Sequence, residues 1–376
     1  MLDRARVRVP ANDFAFQWQE VREDAMAAVD RVGRSGWLVL GEEVRAFERE
    51  LAEWWGIPHA IGVASGLDAL EIALRCAGLP PGARVLTTPL TAFATTLAII
   101  RAGCEPVWCD VDQSGGLDLE QAEAVLSADR SIRALMPVHL YGHPMDLRRL
   151  EQLAAEHEIT LVEDCAQSVG AERDGRATGA ASIACGTSLY PTKNLGAMGD
   201  GGVVLTADAA VAEHARRLRN YGQSGKYEHE EIGLNSRLDE LHAAILRSAF
   251  MPRLEQWLAR RRLIAHQYVE ALRSSALRPL QPAGGRSAHH LFPVEVIEGD
   301  PQAVATSLSE LGIGIGRHYP FLCSDQPAAR GISPCHREHL PVSRRIAARE
   351  LSLPIYPQMT DAEIESVIDA CLEVCK

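Results

Sequence analysis

Between residues 59 and 164 the chain alternates short apolar runs with stretches of helical period, a rhythm that leaves few folds open. Residues 59–63, 84–88, 106–110, 134–138 and 160–164 read as strands, and 68–77, 91–102, 118–128 and 146–157 as the intervening helices. Antiparallel neighbours need only a tight turn, whereas strands separated by a helix-length crossover pair in parallel. The alternation therefore predicts an open α/β domain with a mostly parallel sheet, whose ligands collect outside the carboxyl ends of the strands. By that rule Ser65-Gly66, Thr88-Pro89, residues 139–141 and residues 164–167 converge on one crevice.

The flanking segments complete the outline. Residues 1–17 lack a strong period and read as an arm over the body or a partner, and helices are expected over 18–32 and 42–55. After a strand at 202–205 and a helix at 208–219, residues 220–227 read as a polar loop too irregular for regular structure. A long helical pattern starts near Leu238 and bends at Pro252, because proline removes a helix donor and crowds the preceding turn. The mixed remainder has strand-like runs near 290–296 and 351–356 and a final helix at 360–374. It reads as a smaller α+β domain, 251–376, following an arm and large domain, 1–250. A chain of 376 residues that is 47% hydrophobic is long enough for two such cores.

Charge and cysteine usage narrow the class. The 38 Lys+Arg against 50 Asp+Glu leave a net charge of −12, which speaks against a broad nucleic-acid footprint but not against a local pocket for a small anion. Nine cysteines stand singly, with no Cys-x-x-Cys and no metal-ligand ladder. Their odd number, and the lack of a secretory leader over residues 1–10, predict reduced thiols in a cytoplasmic protein. No apolar run is long enough to span a bilayer, so no membrane anchoring is expected.

The chemistry centres on Ser188-Leu189-Tyr190-Pro191-Thr192-Lys193-Asn194-Leu195-Gly196, followed by Met198-Gly199-Asp200-Gly201-Gly202. A lone lysine in such a turn is ordinarily a solvent-exposed loop residue. Here it has company. Ser65-Gly66-Leu67 lies between a strand and a helix start, which either caps the helix or holds a phosphate on unpaired backbone N–H groups. Asp164 at a strand end either caps the next turn or supplies an anion. An amine and a carboxylate so placed are what pyridoxal phosphate needs, for a Schiff base and beside its ring nitrogen respectively.

These residues carry a resemblance. Glu163-Asp164-Cys165-Ala166-Gln167-Ser168, Tyr190-Pro191-Thr192-Lys193-Asn194-Leu195-Gly196, Gly199-Asp200-Gly201-Gly202 and Gly233-Leu234-Asn235-Ser236-Arg237-Leu238-Asp239-Glu240 together resemble the DegT/DnrJ/EryC1/StrS family of sugar aminotransferases, from about Gly36 to the final helix. The resemblance implies a fold-type-I pyridoxal-phosphate enzyme. Lys193 would hold the cofactor and shuttle protons, Asp164 would pair with the ring nitrogen, and Gln167 would bond near the phenolic oxygen. Phe93 and Ala166 would cover the two ring faces, unless Phe93 merely packs a helix. Ser65, Gly66, Leu67 and Ser188 would hold the phosphate. Asn235 would reach the partner's phosphate across a homodimer, or else cap a helix. Leu67 and Leu189 depart from the threonine and phenylalanine common at these positions, so the threonine hydroxyl is missing from the phosphate site.

The implied reaction is a ping-pong transamination from L-glutamate, through the aminated pyridoxamine form of the cofactor, to a nucleotide-linked keto sugar. Family enzymes that remove a sugar hydroxyl characteristically carry histidine where Lys193 stands, which disfavours that chemistry. Tyr141, Arg219, Lys226, His229, Arg317, His318 and Tyr319 are candidate substrate contacts, or else ordinary surface and satisfied polar residues. The run 220–240 resembles members that aminate C3 of dTDP-linked 3-keto-6-deoxyhexoses. The alternatives are C4 amination of a dTDP- or UDP-linked 4-keto sugar, a keto-inositol acceptor, or, in a different class, a non-catalytic sugar-sensing protein. Retention of Lys193, Asp164, Gln167 and Ser188 together argues against the last, because passive binding needs no shuttle amine.

Overall fold

The computed structural model describes residues 8–332 and 339–375. Helices α1 (Phe14–Ser35) and α2 (Glu42–Trp55) precede the alternating body: β1 (His59–Val63), α3 (Gly66–Cys76), β2 (Arg84–Thr87), α4 (Phe93–Arg101), β3 (Glu105–Trp108), α5 (Leu119–Ala128), β4 (Ile132–Leu135), α6 (Leu147–Glu156) and β5 (Thr160–Asp164). A small hairpin of β6 (Glu172–Arg173) and β7 (Arg176–Ala177), then β8 (Ala184–Ser188), β9 (Gly202–Thr206) and α7 (Ala209–Leu218), complete this part. Next come β10 (Gln223–Gly225), β11 (Glu228–His229), α8 (Glu240–Ile245) and α9 (Leu254–Leu272). The last stretch contains β12 (Leu277–Pro279), β13 (Phe292–Val296), α10 (Pro301–Glu310), α11 (Pro341–Arg349), β14 (Glu350–Leu353) and α12 (Asp361–Val374).

The main sheet has the order β1-β9-β8-β5-β4-β2-β3. Only β9, among its described strands, runs against the others. This is the mostly parallel sheet that the strand–helix alternation demands. Its faces are buried on both sides, as period-two alternation along β9 makes visible: Val203 and Leu205 pack with Val44, Phe47 and Leu51 of α2, while Val204 packs with Leu70 and Leu74 of α3. Each such fully buried Leu or Val contributes about 1.5–3 kcal/mol over exposure. Helix α3 starts where it does because the Ser65 hydroxyl accepts from the Asp68 N–H at 3.1 Å. A second, antiparallel sheet, β12-β13-β14, packs on α9, α10 and α12 around Tyr268, Phe292 and Leu351.

Local departures have physical causes. Strand β4 ends at Leu135 rather than running to 138, although Met136 N–H still donates to Leu86 O at 2.8 Å and Val138 still pairs with Asp164. The helix expected to run on from Leu238 is broken into α8, a π-turn over Leu246–Phe250, a 3₁₀ turn over Met251–Arg253 and α9. Pro252 cannot donate to the helical ladder, so the winding changes around it. The segment expected to be irregular holds most of the β10–β11 hairpin, reversed at Lys226-Tyr227, where Tyr227 has a φ of 67°. Of the arm expected over 1–17, residues 1–7 lie outside the described part. Of the remainder, Val9 is buried on the body and pairs with Ile313, while residues from Phe14 on belong to α1. No helix among the described residues is long and apolar enough to cross a membrane.

Candidate active site

At the carboxyl ends of the strands two cavities meet. One, of about 280 Å³, is walled by Ser65, Gly66 and Leu67 from the β1–α3 turn and by Asp164, Ala166 and Gln167 after β5, with Ser188 at the end of β8. The other, of about 410 Å³, lies toward the second sheet, between Asn12 of the arm and His290, His318 and Ser352. Tyr190 and Lys193 line both.

The first cavity is shaped for an anion. The Gly66 and Leu67 amides head α3 and have no acceptor within the helix, so they present partial positive charge. A side chain at Gly66 would not fit: its Cβ would lie 2.6 Å from Ser188 Cβ. A Cβ at Gly202 would meet the Ser65 carbonyl oxygen at 2.2 Å, which accounts for the glycine that opens β9 beside this turn. Deeper in, Asp164 is 3% exposed. Its Oδ2 accepts from Thr95 Oγ1 at 2.8 Å and its Oδ1 from the Ala166 N–H at 3.0 Å. Burial pushes its carboxyl above the ordinary value, against the opposing pull of that amide, that hydroxyl and Lys193.

The backbone around Asp164 is clamped. Its N–H donates to Pro137 O at 2.9 Å and its carbonyl accepts from His139 N–H at 3.1 Å. Beside it, Glu163 accepts from the Gly179 and Ala181 amides and pairs with His139 Nε2 at 2.9 Å. His139 Nδ1 in turn accepts from Met145 N–H at 3.1 Å, so both ring nitrogens are occupied.

Lys193 stands on a tight turn closed by its own N–H donating to Tyr190 O at 2.8 Å. The neighbouring Asn194 amide is tied to the Ala288 carbonyl at 2.9 Å, and buried Leu195 anchors the far side. No carboxylate among the described residues lies within ion-pair distance of the amine. Burial lowers its pKa to about 8, while Asp164 pulls the other way. The result is an amine that can exchange a proton near neutral pH, facing two cavities, with a carboxylate in one of them.

The expected site residues divide. Ser65, Gly66, Leu67, Asp164, Ala166, Gln167, Ser188 and Lys193 come together on the first cavity, and His318 and Tyr319 on the second. Gln167 is engaged by the protein itself, accepting from Tyr141 N–H at 2.6 Å and donating to Tyr319 Oη at 3.1 Å. Phe93 opens α4 but is off the cavity wall, where Ala92, Ala94 and Thr95 stand. Asn235, Lys226 and His229 are exposed and line neither cavity of their own chain.

Three of the candidate substrate contacts are engaged within the protein. Arg219 is buried, its guanidinium held by Glu48 and by the Gly62 carbonyl at 2.8 Å, so it serves the core. Arg317 donates through Nε to the Glu350 carbonyl and through Nη2 to those of Ala347 and Ala348, at the end of α11. Tyr141 is fully buried, and its hydroxyl donates to His318 O at 2.7 Å. All three are engaged by the protein itself, although Arg219 Nε has no partner among the described residues and the carbonyl that Tyr141 meets belongs to His318 on the second cavity.

Residues given no role of their own in the sequence reading also appear. Thr95 holds Asp164, and its only sequence trace is a second threonine one turn earlier, Thr91, with which it bonds at 3.0 Å. Tyr190 is shared by both cavities, and buried His290 lines the second with an unpartnered Nδ1.

Residues 19–372 match the DegT/DnrJ/EryC1/StrS aminotransferase family model. The chain is 40% identical to a dTDP-3-amino-3,4,6-trideoxy-alpha-D-glucose transaminase of Streptomyces venezuelae, covering 97% of this chain and 96% of that protein. It is 35% identical to a pleiotropic regulatory protein of Geobacillus stearothermophilus, over 98% of both. Its fold superposes on the crystal structure of S. venezuelae DesV in complex with ketimine intermediate, with a TM-score of 0.93 and 39% identity over 98% of this chain and 99% of that one.

Proposed function

From the premise that the chain belongs to the DegT/DnrJ/EryC1/StrS aminotransferase family, and is thus a sugar aminotransferase, we propose that it moves an amino group from L-glutamate to C3 of a dTDP-linked 3-keto-6-deoxyhexose, using pyridoxal phosphate. The observation that carries this reading is the Lys193 amine, lowered to about 8, shared by a cavity that fits the cofactor and a second that can admit a substrate. The C3 preference draws on the Streptomyces relative, whose name specifies a 3-amino sugar.

The residues fit the cofactor. Gly66, Leu67 and Ser188 would hold its phosphate at the head of α3, where a Cβ at residue 66 would close the space. Asp164 would hold the ring nitrogen in its protonated state, and Ala166 would lie against the ring. Bound there, pyridoxal phosphate supplies an electrophilic carbon and a ring that accepts electrons. Lys193 would act as both the base and the acid of the proton shift within each half of the cycle, a task suited to an amine whose pKa lies near working pH. Asp164, fixed by Thr95 and Ala166, keeps its charge where it is needed without having to move.

The exposed Asn235, Lys226 and His229 point to a homodimer in which each chain completes its partner's site, with Asn235 on the phosphate and the other two on the nucleotide diphosphate. His318 and Tyr319 would contact the sugar from the second cavity.

A single-turnover experiment tests the assignment. Enzyme charged with L-glutamate is freed of amino acid and then offered a dTDP-4-keto-6-deoxyhexose or its 3-keto isomer. Stoichiometric release of 2-oxoglutarate, with discharge only on the 3-keto isomer, is the expected result. Discharge on the 4-keto compound moves the assignment to C4, and no 2-oxoglutarate at all removes glutamate as the donor.

A further inference from the structure

Strand β14 and the segment before Tyr319 build a hydrogen-bonded chain that the transamination reading leaves unused. Glu350 and Ser352 alternate along β14 and so share one face. Residue 316 pairs with Ser352 through two backbone bonds, of 3.1 and 2.9 Å, which brings His318 over that face. There the Ser352 hydroxyl lies 2.5 Å from Glu350 Oε1 and 2.8 Å from His318 Nδ1, while Glu350 Oε2 accepts the His318 N–H at 2.7 Å. Glu350 and Ser352 are 1% and 3% exposed. His318 lines the second cavity with Lys193, and its Nε2 is the ring nitrogen without a partner among the described residues.

We propose that Glu350, Ser352 and His318 form a proton relay that opens on the Lys193 cavity and stores one proton on Glu350. The proposal rests on the reading of Lys193 as a proton carrier. With Glu350 ionised, Ser352 Oγ–H donates to Glu350 and Nδ1–H donates to Ser352 Oγ, leaving Nε2 a bare acceptor toward the cavity. A proton arriving at Nε2 forms an N–H bond there. The Nδ1–H bond breaks as its proton passes to Ser352 Oγ, and the Oγ–H bond breaks as its proton passes to Glu350 Oε1. One proton has left the cavity, Glu350 is neutral, and the imidazole carries no net charge and has exchanged one tautomer for the other.

The surroundings suit that traffic. Burial raises the Glu350 pKa to about 7, against Ser352, the His318 amide and Arg317, which places it near Lys193. Burial and Lys193 lower His318 to about 4, so the ring conducts a proton rather than keeping it. The charged and titratable groups around the relay are accounted for. Arg317 is fixed on backbone carbonyls, Tyr141 donates to His318 O, and Tyr319 is bonded to Gln167. Glu295, opposite Glu350 in the ladder, is paired with Arg278 and Arg345. His290, the other ring on this cavity, is held neutral by burial and by Lys193.

Nitrogen NMR of the ¹⁵N-histidine-labelled holoenzyme reads the tautomer directly. In the wild type His318 is expected to change from about ten to one Nε2–H at pH 6 to about ten to one Nδ1–H at pH 8. Glu350→Gln keeps the shape, but its amide donates to Ser352, so Nε2–H is expected throughout. Ser352→Ala uncouples the ring while the Glu350 carboxyl band still titrates in the infrared. A wild-type His318 with one tautomer across this range, or a Glu350→Gln variant that switches as the wild type does, overturns the relay. If His318 switches while L-glutamate yields no 2-oxoglutarate, the transamination reading fails and the relay stands.

Discussion

Replacing Lys193 with methionine is expected to stabilise the cofactor-free protein while abolishing turnover. Methionine keeps an unbranched stem of similar length and removes the charge. Burial lowers the amine to about 8 in the folded protein from its ordinary value of 10.5, so below pH 8 the folded chain holds a charge that its burial disfavours. At ~1.4 kcal/mol for each tenfold in proton affinity, the difference amounts to ~3 kcal/mol. Because Lys193 is only partly buried, solvent at its head reduces that to ~2 kcal/mol. The sign follows from proton counting. Between pH 8 and 10.5 the unfolded chain binds more protons than the folded one, so wild-type stability gains with rising pH and the variant's advantage fades through that window. Urea unfolding of both proteins, stripped of cofactor with hydroxylamine, at pH 7, 9 and 10.5 measures it. Equal stabilities at pH 7, or a difference that does not shrink by pH 10.5, refute the placement of a charged amine at the meeting of the two cavities.

Asp164→Asn removes the attraction that opposes burial of the amine, so in the cofactor-free protein the Lys193 pKa is expected to fall further below about 8, measurable as the pH dependence of its rate of reaction with an amine-acylating reagent. Activity should fall by at least about a hundredfold, since the charge facing the ring nitrogen is lost. Gly66→Ala drives a methyl group onto Ser188, and equilibrium dialysis should show cofactor affinity weakened by more than about tenfold, with the global fold intact by circular dichroism. Arg219→Met leaves Glu48 buried beside β1 without its cation and is expected to cost about 3–5 kcal/mol in denaturant unfolding. An unchanged stability with raised KM for the sugar would return Arg219 to the substrate.

Much of the fold was legible because its signals are local. The strand–helix alternation, the serine cap before α3 and the apolar stripe of α2 each reside in a few consecutive residues, and the parallel order follows from crossover length. The hairpin at 223–229 was not legible, because its short strands carry no alternating apolar pattern and its turn holds the non-glycine Tyr227 at positive φ.

By itself the sequence determined the alternating α/β body, the convergence of strand ends and the identity of the residues around Lys193 and Asp164, since motif and period are properties of neighbouring residues. Only the tertiary structure decided which polar side chains are free to act. Arg219, Arg317 and Tyr141 look as available in the sequence as His318 does, yet Arg219 is bound to Glu48, Arg317 to carbonyls at the end of α11 and Tyr141 to the His318 carbonyl. Glu350 and Ser352, plain members of a strand, meet His318 across 32 and 34 residues of the chain. Hydrogen-bond demand is local, but the partner that satisfies it is set by packing across the whole chain.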